Sequence, residues 1–170
     1  MPQYRIYNGP SPTTAAQVKV TTGTAIKTLL QVKGVTALPF KIVDWGISFD
    51  GSAAATPIAV ELLETGTVFA TVTAHVAAGL VKWGPGAPAG IPTSTTYFEV
   101  GTAATGYTAT AEGTITASRV LDAQLIAPTD KYVLQFPLGR EPWVDAVSAL
   151  RIRVTAGAAV NAYCFFTLET

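Results

Sequence analysis

Between residues 17 and 168 most of the chain is written in strand segments with a period of two, and no segment carries the 3.6-residue apolar stripe of an amphipathic helix. Residues 38–50 show the pattern most clearly. Val43, Trp45, Ile47 and Phe49 share one face, while Asp44, Gly46, Ser48 and Asp50 share the other, as a half-buried strand requires. Asp50-Gly51 then supplies a turn. Parallel sheets need helical crossovers, and this pattern has none, so about eight to ten antiparallel strands in a two-sheet β-sandwich are expected. The chain has one cysteine and hence no Cys…Trp…Cys spacing, which makes a jelly roll the preferred form over an immunoglobulin-type sandwich.

Further strands are expected over residues 17–22, 24–33, 97–100, 108–126, 131–138, 150–155 and 160–168. In 24–33, Ile26, Thr28, Leu30 and Val32 would face the core, and Leu29 would share the polar side with Lys27, Gln31 and Lys33. Residues 57–64 and 67–76 read as a hairpin about Thr65-Gly66, and 108–126 as one strand bent at Gly113. One helical turn fits at 144–150. Pro2, Pro10, Pro12 and Asn8-Gly9 mark residues 1–14 as an extended arm with Tyr4, Ile6 and Tyr7 as its apolar grips, ahead of a single domain at 15–170. Residues 77–96 lose all periodicity in a Pro/Gly-rich stretch, the expectation for a long loop docked on something. Trp83 would anchor its entrance, and Ile91 lies within it.

Few residues suit chemistry. Hydrophobic residues make up 49% of the chain and charged ones only 13%, against a usual share of roughly 25%, so Thr, Ser, Ala and Gly must cover the surface. Such a surface is cheaply desolvated against neighbours, which favours an assembled protein. The net charge is zero and the basic residues do not cluster beyond Arg151 and Arg153, so no nucleic-acid partner is expected. No apolar run approaches the roughly 20 residues of a membrane span, and no membrane association is expected. The first residues lack signal-peptide blocks, and synthesis in the cytoplasm is the expectation.

Cys164 sits in an apolar run as a small buried hydrophobe, with His75 the only histidine that could serve it as a base. Asp44, Asp50, Glu61 and Glu64 are the best carboxylates for acid–base work, and solvated strand residues are their plainer reading. Asp50-Gly51-Ser52 opens like a calcium loop, but Ala53, Ala54 and Ala55 supply no ligands. A nucleophile elbow, a phosphate loop and a dinucleotide fingerprint are all missing, so neither an enzyme nor a cofactor is expected. Gly139-Arg140-Glu141-Pro142-Trp143 is the densest informative cluster. Its Arg140, Glu141 and Trp143 suit a contact patch, because Arg and Trp are enriched at interface hot spots.

Three segments carry a resemblance: Asp44-Trp45-Gly46-Ile47-Ser48-Phe49-Asp50-Gly51, Val60-Glu61-Leu62-Leu63-Glu64-Thr65-Gly66, and Phe136-Pro137-Leu138-Gly139-Arg140-Glu141. Together they resemble small structural proteins encoded near the capsid genes of tailed bacteriophages. The resemblance implies a jelly-roll decoration (cement) protein on the capsid surface of a virion, made in the host cytoplasm. It would self-associate, as a homotrimer, and bind the major capsid protein across capsomer boundaries. The expected contacts are Tyr4, Ile6, Tyr7, Trp83, Ile91, Arg140, Glu141 and Trp143. The alternative is a carbohydrate- or receptor-binding sandwich of a phage tail or surface structure, which would need exposed aromatics arranged as a sugar platform.

Overall fold

The computed structural model describes residues 2–10, 14–35, 38–84 and 97–170. They form a β-sandwich of two antiparallel sheets, with no α-helix among the described residues. The seven-stranded sheet runs β10 (Lys131–Gln135), β4 (Phe40–Asp50), β13 (Asn161–Glu169), β1 (Gln3–Tyr7) and β7 (Leu80–Lys82). Two short strands join it, β11 (Trp143–Val144) on β4 and β2 (Val20–Thr21) on β13. The six-stranded sheet runs β6 (Thr71–Ala74), β8 (Gly106–Ala111), β3 (Lys27–Lys33), β12 (Ala149–Thr155), β5 (Ile58–Glu64) and β9 (Arg119–Ile126).

Four of the pairings are nested in sequence: β1 with β13, β3 with β12, β4 with β10, and β5 with β9. Strands far apart along the chain therefore lie side by side. Their inward residues, among them Trp45, Ile42, Phe166 and Leu168 on one sheet and Leu30, Leu62, Val60 and Ile152 on the other, form one buried core.

The N-terminal segment differs from the expected arm. Residues 3–7 form an interior strand, paired with β13 on one side and β7 on the other. Strand alternation then turns Tyr4 and Ile6 fully into the core, so neither is available for contact with another molecule. Asn8 prolongs the pairing by one more bond to β13 as the chain bends at residues 8 and 9. Its buried side chain donates to the Ala162 carbonyl at 3.1 Å and accepts from the Cys164 N–H at 2.9 Å.

Two bulges explain where a strict period of two misassigns faces. On β4 the register to β13 slips so that Thr167 faces Asp44 and Leu168 faces Ile42. Val43 is the extra residue, half-buried, and the core face shifts to Phe40, Ile42, Trp45, Ile47 and Phe49. On β3 the partners of Ile152 and Arg153 are Leu30 and Thr28. Leu29 is the bulged residue and is buried, against expectation, whereas Ile26 is exposed.

The expected 57–76 hairpin does not form. β5 pairs with β12 and β9, and β6 pairs with β8. Likewise 108–126 is two strands at different places in the sheet, β8 and β9, with Gly113 at a positive φ of 71° in the break between them. The start of the expected loop is ordered by pairing: a 3-10 turn at Ala77–Gly79 leads into β7 against β1. At 144–150 there is strand and turn instead of a helical turn.

Candidate functional site

The outer face of the seven-stranded sheet collects aromatic side chains from strands that are remote in sequence. Register places Val133 on β10, Gly46 on β4, Phe165 on β13 and Tyr7 on β1 in one row across the sheet. The next row toward β2 holds Lys131, Ser48 and Tyr163. On the other side follow Gln135, Asp44, Thr167, Arg5 and Val81. Gly46 is needed in the middle row: a Cβ there would stand 2.9 Å from the Phe165 ring and 3.0 Å from Val133 Cγ2. Its absence lets the ring lie down against the sheet. Tyr7 and Phe165 meet with ring centroids 5.9 Å apart and planes tilted by 49°.

Arg5 locks the third row. Its Nε donates to Thr167 Oγ1 at 2.8 Å and its Nη2 to Asp44 Oδ2 at 2.8 Å. The guanidinium lies 3.6 Å from the Trp83 ring centroid and 4.5 Å from that of Phe165, so it is sandwiched between two aromatics. Such cation–π contacts contribute about 0.5–1 kcal/mol each at exposed sites. Trp83 is also held by its backbone N–H on the Gln3 carbonyl at 2.8 Å, yet 52% of it remains exposed. Trp83 is thus tied to β1 through Arg5 and Gln3 while about half of it stays exposed.

Between residues 16–17 and β10 the face sinks into an open groove of about 630 Å3, lined by Tyr7, Tyr163, Phe165, Ser48, Lys131 and Val133 among others. The Tyr163 hydroxyl donates to the Gln17 carbonyl at 2.6 Å, which fixes that ring at the groove wall. The sequence assigned Trp45 and Phe49 to one strand face and singled out no outward aromatic of the 162–166 run. The correction comes from the Tyr163-Cys164-Phe165-Phe166 run: Cys164 and Phe166 point inward, and Tyr163 and Phe165 point outward. Alternation alone could have split that run, but only pairing brings Tyr7, Gly46 and Val133 beside it.

A second cluster lies on the side of the sandwich where both sheets end, at β9 and β10. Arg119 of β9 bonds the carboxylate of Glu64 and reaches across to the carbonyl of Trp143 on β11. Tyr132 of β10 donates to the Asp122 carboxylate of β9 at 2.9 Å and accepts from the Gln124 amide at 3.2 Å. On or next to the edge strands Val120, Leu125, Leu138 and Trp143 are exposed. Trp143 takes the Lys41 ammonium 4.8 Å from its ring centroid. Glu141 accepts from the Gly139 N–H at 2.9 Å, and Arg140 is exposed on the same turn. Arg140, Glu141 and Trp143 are thus brought together at this edge, Tyr7 and Trp83 belong to the sheet face, and Ile91 lies outside the described residues.

The four carboxylates do not assemble. Asp44 pairs with Arg5 and Asp50 with Lys19 on one sheet, and Glu61 pairs with Arg153 and Glu64 with Arg119 on the other. Cys164 is fully buried, which pushes its thiol pKa well above the usual range. Among the described residues no group of three or more His, Cys, Asp or Glu side chains is placed to hold a metal ion.

His75 is buried and serves the fold. Its Nε2 lies 2.8 Å from the Tyr7 carbonyl, which can only accept, so Nε2 carries the proton. Nδ1 faces Gly79, where a Cβ would come within 2.3 Å, and Tyr107 covers the ring at 4.9 Å. Desolvation lowers the His75 pKa, outweighing the opposing effect of the Tyr7 hydrogen bond. A base with a depressed folded pKa binds its proton more weakly than the unfolded chain does. Its contribution to stability is complete above the unfolded value near 6.5 and declines as pH falls, by up to about 1.4 kcal/mol per pH unit. Melting temperature should therefore drop between pH 6.5 and 5 in the wild type, and His75→Gln should flatten that slope; an equal slope in the variant assigns the effect to other groups.

Comparison with protein-family models, with curated proteins and with solved structures gives no match.

Proposed function

We propose that the chain is a non-catalytic structural protein of a bacteriophage virion, a decoration protein that binds the capsid surface and staples neighbouring capsomers. The observation that carries this reading is that four exposed apolar side chains, Val120, Leu125, Leu138 and Trp143, lie on or next to the strands at the side where both sheets end. Scattered apolar residues are ordinary, whereas a group beside unpaired strand edges suits burial against a partner. The nested pairing of β1 to β13, β3 to β12, β4 to β10 and β5 to β9 supports the jelly-roll reading, because two interlocked Greek keys require this connectivity. The sparse, mutually paired charges support it too, since few ions need desolvating on docking.

In this reading the major capsid protein is the partner, the chain self-associates as a homotrimer, and Arg140 and Trp143 join Leu125 and Leu138 as contacts. Co-sedimentation with empty shells of the major capsid protein tests it. The wild type should pellet with the shells, and the double variant Leu125→Asp with Leu138→Asp should bind at least about tenfold more weakly while melting at the wild-type temperature. Undiminished pelleting of the variant, or no pelleting of the wild type, overturns the proposal. Light scattering should give a mass three times that of the chain.

A further inference from the structure

We propose that the groove on the outer face of the seven-stranded sheet binds a neutral oligosaccharide. The site is distinct from the β9–β11 edge, and the proposal holds or fails independently of capsid binding.

Three properties of the groove select this ligand class. The first is its aromatic content. Tyr7, Phe165 and Tyr163 line it together, and the half-exposed Trp83 lies beyond Arg5. Flat rings of this kind suit the C–H faces of pyranose sugars. They are also held in place before any ligand arrives, by Gly46 beneath Phe165, by Arg5 between Phe165 and Trp83, and by Gln17 on Tyr163. Rings already fixed lose little entropy on binding.

The second property is the polar rim. The Ser48 hydroxyl, the Tyr7 hydroxyl and the Lys131 ammonium border the groove and make no side-chain hydrogen bond with the described residues. A purely apolar ligand would leave these groups desolvated and unpaired, whereas sugar hydroxyls would satisfy them. The third is charge. Lys131 is the only charged side chain among the described residues lining the groove, and the neighbouring Arg5 and Lys19 are neutralised by Asp44 and Asp50. A polyanion such as nucleic acid or a sulfated glycan needs a concentrated basic track, which is lacking here.

Size argues in the same direction. The groove's 630 Å3 falls within the roughly 300–1,000 Å3 of small-ligand sites, while a stable protein partner needs a patch of about 800 Å2 on each side.

The test is an array of neutral oligosaccharides of about two to four sugar units, with sulfated oligosaccharides as a polyanionic arm and calorimetric titration of any hit. Binding of at least one neutral saccharide is expected, with none to the sulfated set. Phe165→Ala should weaken it at least about tenfold, since it removes the central ring. Val133→Asp offers a variant that spares the core, because Val133 is 59% exposed; its carboxylate at the groove margin should also weaken binding while the melting temperature holds. The Leu125→Asp, Leu138→Asp variant should bind sugar as the wild type does. No neutral ligand on the array, preference for sulfated ligands, or binding indifferent to both Phe165→Ala and Val133→Asp overturns the proposal.

Discussion

Trp45→Ala is expected to lower stability by about 4 kcal/mol, which for a domain of this size is a fall in melting temperature of roughly 8–16 °C. Trp45 is the largest fully buried side chain among the described residues, on the interior strand β4, with its ring 5.4 Å from Tyr132 at the join between the sheets. Removing it forfeits the transfer energy of the indole and opens a cavity that two hydrogen-bonded sheets cannot collapse to fill. The indole N–H has no hydrogen-bond partner among the described residues. Trp45→Phe should therefore cost only about 2 kcal/mol, from lost volume without a lost hydrogen bond. Urea denaturation monitored by circular dichroism measures both. A Phe variant as unstable as the Ala variant would show that the N–H is engaged after all.

Arg151→Met comes second, with an expected loss of about 3 kcal/mol. Arg151 lies on β12 and is wholly buried. Its Nη1 donates to the Glu112 carbonyl at 3.0 Å and its Nη2 to the Val68 carbonyl at 2.6 Å, with the Glu112 carboxylate 3.6 Å from Nη1. Burial lowers the guanidinium pKa to about 10, so the group remains charged at neutral pH. The Glu112 carboxylate also accepts from the backbone and hydroxyl of Thr28 on β3, at 2.5 and 2.6 Å. One fork thus ties the segments after β5 and after β8 onto the six-stranded sheet. Methionine fills the space but leaves two carbonyls and a carboxylate short of a donor. Arg151→Lys keeps the charge and reaches one carbonyl at a time, and should recover about half the loss. A change below about 1 kcal/mol for Arg151→Met would mean that these segments are held by their other bonds.

Gln31 shows the same device from β3. Read along the sequence it is a polar residue on the solvent side of a strand, yet it is fully buried. Its amide donates to the Ala70 and Ala104 carbonyls at 3.0 and 2.7 Å and accepts from the Ala70 N–H at 2.8 Å. Alternation identifies which residues leave the core but cannot reveal that a loop returns to cover them. The candidate groove was illegible for a related reason. Tyr7, Gly46, Val133 and Phe165 are separated by tens to more than a hundred residues and meet only through the registers of β1, β4, β10 and β13. Arg140, Glu141 and Trp143, by contrast, are already neighbours along the chain, at 140–143.

The sequence by itself determined the class of this protein. A period of two along nearly the whole chain, with no helical stripe, leaves antiparallel sheets as the way to bury its apolar face, since that periodicity is a property of the extended backbone. Tertiary structure decided the partners. Whether residues 3–7 are a free arm or an interior strand depends on whether β13 and β7 are there to take their N–H and C=O groups, and those partners lie up to 166 residues away. Where the faces change over depends on bulges at Val43 and Leu29, which exist only once two strands are in register. Which polar residues are buried, and which aromatics share an outer face, follow from that register, because strand pairing joins positions that no local pattern can relate.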